Sequence, residues 1–191
     1  MTDSFIERPV ADPLPPGSGG IACAPSARTL WIGADGRVTT IDQTLLPFAY
    51  RTFTLDDEAA CADAIRTMRV RGAPLIGAVG AYGLALALRE AADDAALAGA
   101  RERLLATRPT AVNLRWGLAR VADRVRALPD AERAQAAWDE AARLCDDDVE
   151  CNRRIGLHAI AWLAEPLARA RAQRRPLRIL THCNAGPIAT L

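Results

Sequence analysis

The chain has no lysine; all 24 of its cationic side chains are arginine. That absence excludes a Schiff-base lysine and a P-loop lysine, so any anion site must be built from guanidinium and backbone N–H groups. An excess of one charge is also missing: 23 acidic residues offset the arginines, the formal net charge is +1, and the signs are interspersed. No basic stripe for nucleic acid or an acidic membrane is encoded. The five cysteines, Cys23, Cys61, Cys145, Cys151 and Cys183, are odd in number and form no C-x-x-C. This excludes a disulfide framework and a zinc site, and fits a reducing cytoplasm. No apolar run reaches the roughly 18 residues of a spanning helix, and residues 1–27 lack the basic start and apolar core of a signal peptide. A cytoplasmic protein binding small neutral or anionic ligands is the class left open.

The chain of 191 residues, 50% hydrophobic, can bury one domain and begin another. Five prolines, the last of them Pro25, and three glycines predict a loose arm over 1–27. Thr29–Ile32 and Arg37–Ile41 flank Gly33-Ala34-Asp35-Gly36 and predict a hairpin, with Tyr50–Phe53 as a third strand. Thr54-Leu55-Asp56-Asp57 has the form of a helix cap, ahead of a helix over about 56–68. Leu75–Leu88 is apolar almost all round and predicts a central helix covered on every side. A helix follows Asp93-Asp94 to about Thr107, and another from Ala111 puts Leu114, Leu118, Val121, Val125 and Leu128 on one stripe until Pro129-Asp130 breaks it. From Ala131, one long helix or two in series, interrupted at Asp146-Asp147-Asp148, predicts a connector over 131–172. Gln173–Pro176 reads as a linker turn and Leu177–Thr181 as a buried strand. The expected organisation is an arm (1–27), a domain (28–130), the connector (131–172) and the start of a second domain (173–191).

Three features could carry chemistry. Arg71-Gly72-Ala73-Pro74 opens the central helix: Gly72 allows close backbone approach, and Pro74 suits a first helical turn. Arg108-Pro109-Thr110-Ala111 repeats the arrangement two helices later, with Thr110 as the expected cap. Two arginines at two helix starts suit a phosphate, whereas the competing reading has each arginine tie a loop to a carboxylate. Spacing alone leaves both open, and says nothing of whether the loops meet. Cys183 lies where a strand would turn toward a helix, a place that lowers a thiol's pKa and where α/β enzymes put reactive groups; the alternative is an inert strand-end cysteine. Strand alternation would point His182 away from it.

Weaker features have plainer readings. His158 and Cys151, two turns apart, suit an interhelical contact better than a metal; the acidic run lacks calcium-loop spacing; Trp31, Trp116, Trp138 and Trp162 read as core or interface anchors.

Six blocks, Ile41–Pro47, Met68–Gly77, Ala81–Gly83, Thr107–Leu114, Asn152–Gly156 and Thr181–Gly186, resemble in order those of the methylthioribose-1-phosphate isomerase family. That family is similar to ribose-1,5-bisphosphate isomerases and to regulatory subunits of the translation-initiation exchange factor. The resemblance implies an α/β protein: a small N-terminal domain of antiparallel strands and a helical bundle, then the first strand of a truncated Rossmann-like domain. It implies Arg71, Gly72, Ala73 and Arg108 as sugar-phosphate ligands and Cys183 as the catalytic residue at the reacting carbons. The implied reaction converts 5-methylthioribose 1-phosphate, an aldose, into 5-methylthioribulose 1-phosphate, a ketose, in methionine salvage, with no metal and no organic cofactor.

The family's aspartate general acid, a glutamine and an Asn-Lys pair lie farther along than Leu191. The chain is therefore expected to be the N-terminal portion of such an isomerase, inactive alone and a homodimer at full length. A related sugar-phosphate isomerase is one rival, separable by a substrate screen. A non-catalytic regulatory or scaffold subunit is the other, disfavoured by the presence of Cys183 with both arginine loops.

Overall fold

A computed structural model describes residues 28–182 and 186–191; the expected arm and Cys183 lie outside the described residues. Strands β1 (Leu30–Ile32), β2 (Val38–Ile41) and β3 (Thr52–Leu55) form an antiparallel sheet in that order. The hairpin closes where the Gly33 N–H donates to the Arg37 carbonyl at 2.8 Å, with Gly36 at φ +76°, a conformation glycine adopts without penalty. The third strand starts two residues later than expected, and pairs Val38 with Leu55 and Ile41 with Thr52.

Five helices follow: α1 (Glu58–Arg66), α2 (Ala73–Glu90), α3 (Asp94–Thr107), α4 (Val112–Val125) and α5 (Asp130–Ala172). The chain is thus α/β, with a small sheet beside a helical bundle. Helix α2 is central, as its apolar sequence predicts, and packs against the other four helices. Leu75, Leu84 and Leu88 are among its fully buried side chains, each worth about 1.5–3 kcal/mol relative to exposure. The α4 stripe of Leu114, Leu118, Val121 and Val125 closes on it. Helices α2 and α4 cross at glycines: a Cβ on Gly117 would stand 2.6 Å from the Gly77 carbonyl oxygen, and one on Gly77 would stand 2.8 Å from that of Asn113. This crossing lies near both helix starts, so it draws the two arginine loops together.

Helix α5 is continuous for 43 residues, so of the two arrangements left open, one long helix or two in series, the single helix is the one that forms and it runs through the acidic run. Each carboxylate there has a partner: Asp146 pairs with Arg28 at 2.7 Å, Asp147 with Arg120 at 2.7 Å, and Asp148 accepts from the Leu191 N–H at 3.2 Å. Mutual repulsion is thereby offset. Ala137, Ala141, Leu144 and Cys145 enter the core, whereas Ile155, Ile160 and Trp162 are exposed. Buried Arg133 donates to the carbonyls of Leu128 (2.9 Å), Ala92 (3.0 Å) and Arg126 (3.3 Å), setting a positive charge beside the C-terminal ends of α2 and α4.

The strand expected at Leu177–Thr181 does not form: residues 177–182 have no regular structure, and Ile179 and Leu180 are exposed. A parallel strand needs neighbours on its edges, and no other strand lies beside this one among the described residues. Beyond it, a single 3-10 turn over Pro187–Ala189 is docked on the bundle. Thr29 donates to the Pro187 carbonyl at 2.7 Å and Gln43 to the Ile188 carbonyl at 2.8 Å. Among the described residues no helix is long and apolar enough to cross a membrane.

Candidate active site

Helix termini differ in a way that singles out two of them. Helices α1 and α3 are N-capped by Asp57 and Asp93, whose carboxylates accept from Ala60 (2.7 Å) and Ala96 (2.8 Å), and both carry an acidic first turn. Helices α2 and α4 have no side-chain cap and no acidic residue in the first turn. Their N-terminal N–H groups and positive dipole ends are left for something else. The expected Thr110 cap is not made. The Ala111 N–H donates to the Arg108 carbonyl at 3.0 Å, this turn delays the helix by one residue, and Ala111 occupies the cap position.

Both uncapped ends open into one pocket of about 460 Å³, lined by Arg71, Gly72, Ala73, Arg108, Thr110 and Asn113 among others. The four residues singled out as phosphate ligands thus share one cavity. Among the described residues no carboxylate pairs with Arg71 or Arg108, in contrast to the nearby Arg69, whose Nε donates to Asp42 at 2.7 Å while its guanidinium lies 3.6 Å over the Phe53 ring. The loop-tie arrangement is the one seen at Arg69. Met68, at the rim, holds a left-handed backbone at φ +57°, strain of a kind that concentrates at functional sites.

Gly72 caps α2 at φ +101°, and a Cβ there would lie 2.3 Å from the Ala189 carbonyl oxygen. The close approach its sequence position suggested is real, but the approaching backbone is the chain's own C-terminal turn. Buried Gln43 had gone without a role. Its side-chain amide donates to the Ile188 carbonyl and, at 3.3 Å, to that of Arg71, so it ties the arginine loop to this turn. An uncharged polar residue two positions past the end of a strand, next to Asp42, was the signal for it. That carboxylate, Asp42, is desolvated, which works upward, yet hydrogen bonds from Thr44 and Arg69 outweigh burial and hold it below the usual carboxylate range.

The described cysteines divide by environment. Burial pushes the Cys145 thiol up to about 12 and raises that of Cys61, so both are neutral and inert. Cys151 is exposed on α5. Among the described residues no group of three or more His, Cys, Asp or Glu side chains is placed to hold a metal ion.

Residues 69–191 match the Initiation factor 2 subunit family, IF-2B. The chain belongs to this family. It is 52% identical over 165 residues to the methylthioribose-1-phosphate isomerase of Rhodospirillum centenum, covering 86% of this chain and 44% of that relative. It is 49% identical over 169 residues to a Rhodospirillum rubrum protein described as the uncharacterized protein in petC 3'region, covering 86% of this chain and 91% of the relative. The crystal structure of 5-methylthioribose 1-phosphate isomerase from Pyrococcus horikoshii OT3 superposes with a TM-score of 0.65 at 36% identity, covering 85% of this chain and 45% of that one. The likeness read from the six sequence blocks is thus borne out, and this IF-2B family chain spans under half the length of the isomerases it matches.

Proposed function

We propose that this chain carries the phosphate-binding part of an aldose–ketose isomerase acting on 5-methylthioribose 1-phosphate in methionine salvage. The observation that carries the reading is the pocket where Arg71 and Arg108, without carboxylate partners among the described residues, flank two uncapped helix starts. Guanidinium forks and first-turn N–H groups together suit a dianionic phosphate. In this reading the Ala73 N–H and the two guanidinium groups hold the phosphate, and Cys183 acts at the reacting carbons. Ring opening breaks the C1–O4 bond with a proton going to O4 and leaves C1 electron-poor with its phosphate attached; hydrogen then passes from C2 to C1 through a hydride shift or an enediol, and C2 becomes the ketone as its hydroxyl proton leaves. Residues 173–191 would begin a second, Rossmann-like domain that closes the site and excludes water.

The test fuses residues 1–191 to the remainder of the Rhodospirillum centenum isomerase and follows ketose formation. The fusion should turn over. Arg108→Ala should weaken substrate binding by about 1.5–3 kcal/mol, roughly 10- to 150-fold, and Arg108→Lys by less. A folded fusion in which both variants bind like the parent would remove the two-arginine site. The family match also supports a second reading, a non-catalytic regulatory subunit; a folded fusion that binds the sugar phosphate without turnover would favour it.

A further inference from the structure

The loop that ends in Arg71 is gripped from the end of β2 at three points. The Asp42 carboxylate accepts from Arg69 Nε at 2.7 Å, the Gln43 backbone N–H donates to the Arg69 carbonyl at 2.9 Å, and Gln43 Nε2 donates to the Arg71 carbonyl at 3.3 Å. The same Nε2 donates to the Ile188 carbonyl at 2.8 Å, within the Pro187–Ala189 turn. Both neighbours of this nitrogen are carbonyl oxygens, so only a donor suits the position and both N–H groups of the amide are used. We propose that Gln43 is a positioning residue that couples the arginine pocket to the Pro187–Ala189 turn. An anion in the pocket orders the turn, and the docked turn in its place fixes the backbone from which Arg71 extends. The proposal rests on the phosphate reading given under the previous heading and adds the link between that site and the segment that follows Cys183 in sequence.

Three observations support the coupling. Gln43 is 7% exposed, whereas Arg71 is exposed, so the amide is the fixed support and the loop is the part free to shift. Among the described residues none of the turn lines the arginine pocket, so a phosphate held there acts on the turn through the chain and not by touching it. The third observation is the route. Among the described residues no hydrogen bond joins the turn directly to the Arg71 loop; Gly72 meets Ala189 by backbone packing, and Gln43 supplies the hydrogen-bonded bridge. Coupling of this kind is reciprocal: the factor by which the anion favours the docked turn is the factor by which the docked turn favours the anion. The turn is also tethered on its far side, where Thr29 Oγ1 donates to the Pro187 carbonyl at 2.7 Å. It can therefore be loosened by a change outside the pocket.

The test uses the 191-residue chain with inorganic phosphate as the probe and chloride at equal ionic strength as the blank. Affinity is read from amide chemical shifts during the titration. Hydrogen exchange is followed at Ala189 and Leu191, whose N–H groups are bonded to Gly186 and Asp148. In the parent, saturating phosphate should slow both amides several-fold. Gln43→Met, close in shape but without donors, should bind phosphate roughly 3- to 10-fold more weakly and lose most of that slowing. Thr29→Val, isosteric and outside the arginine pocket, should weaken phosphate binding several-fold in the parent and leave it unchanged in the Gln43→Met background. A merely structural role for Gln43 would instead make the two effects additive. Slowing that survives Gln43→Met, with phosphate still bound, overturns the coupling and leaves the phosphate site in place. If Gln43→Met fails to fold, Thr29→Val decides alone, and an unchanged phosphate affinity overturns the coupling. If phosphate does not bind the parent, the phosphate site fails and the coupling fails with it.

Discussion

Replacing Gly117 by alanine tests the feature that brings the two arginine loops together. The added Cβ would lie 2.6 Å from the Gly77 carbonyl oxygen and 3.2 Å from its carbon, whereas ordinary contact begins at 3.4 Å. Backbone on a buried helix cannot swing aside as a side chain can, so α2 and α4 must part by about 0.8 Å, the gap between 2.6 and 3.4 Å. Overpacking of this kind costs about 1–3 kcal/mol. Alanine returns about 1 kcal/mol through its better helix propensity, leaving a net loss of up to about 2 kcal/mol. Gly99→Ala is the control: it lies inside α3, and its Cβ would meet only the far end of the Arg103 side chain at 3.1 Å. That variant should gain about 0.5–1 kcal/mol. Urea unfolding followed by circular dichroism should therefore separate the two midpoints by about 1 M, given slopes of about 1–3 kcal/mol per molar. The same separation would widen the pocket between Arg71 and Arg108 and weaken phosphate binding. If Gly117→Ala proves as stable as Gly99→Ala, the helices do not cross as closely as described and the explanation for the paired loops fails.

Asp42 is held below the usual carboxylate range, so the stability it contributes is fully present above its unfolded value of about 3.9 and is lost as pH falls through its folded value. Asp42→Asn should cost about 1.5–3 kcal/mol near neutrality, and the gap from the parent should close on acidification below pH 4; a gap that stays constant with pH would show that the charge is not what matters. Gly72→Ala should push the Pro187–Ala189 turn off the bundle, because the new Cβ meets Ala189 backbone at 2.3–2.7 Å. Hydrogen exchange should then report fast amides at Ala189 and Leu191, whose N–H groups are bonded to Gly186 and Asp148 in the parent. Unchanged protection would mean that Gly72 does not hold this turn.

The amino-acid sequence by itself determined the helices and what each buries. The unbroken apolar run at Leu75–Leu88 made α2 central, and the stripe from Leu114 to Val125 gave α4 its inward face. Asp57 and Asp93 announced two helix starts through local side-chain hydrogen bonds. Such features act within a few residues of one another, so periodicity and cap chemistry suffice to read them. The sequence also singled out Arg71 and Arg108, and excluded lysine from any anion site. It could not say that the two loops meet, because their meeting depends on the depth at which Gly77 and Gly117 let two helices cross. The continuity of α5 through three aspartates was likewise a tertiary matter, decided by Arg28, Arg120 and the Leu191 amide arriving from distant parts of the chain. So was the loss of the strand at 177–181: its composition favours a strand, but a strand exists only through hydrogen bonds to a neighbour. Local interactions wrote the elements; burial of one against another, over separations no short pattern spans, decided which side chains share a site.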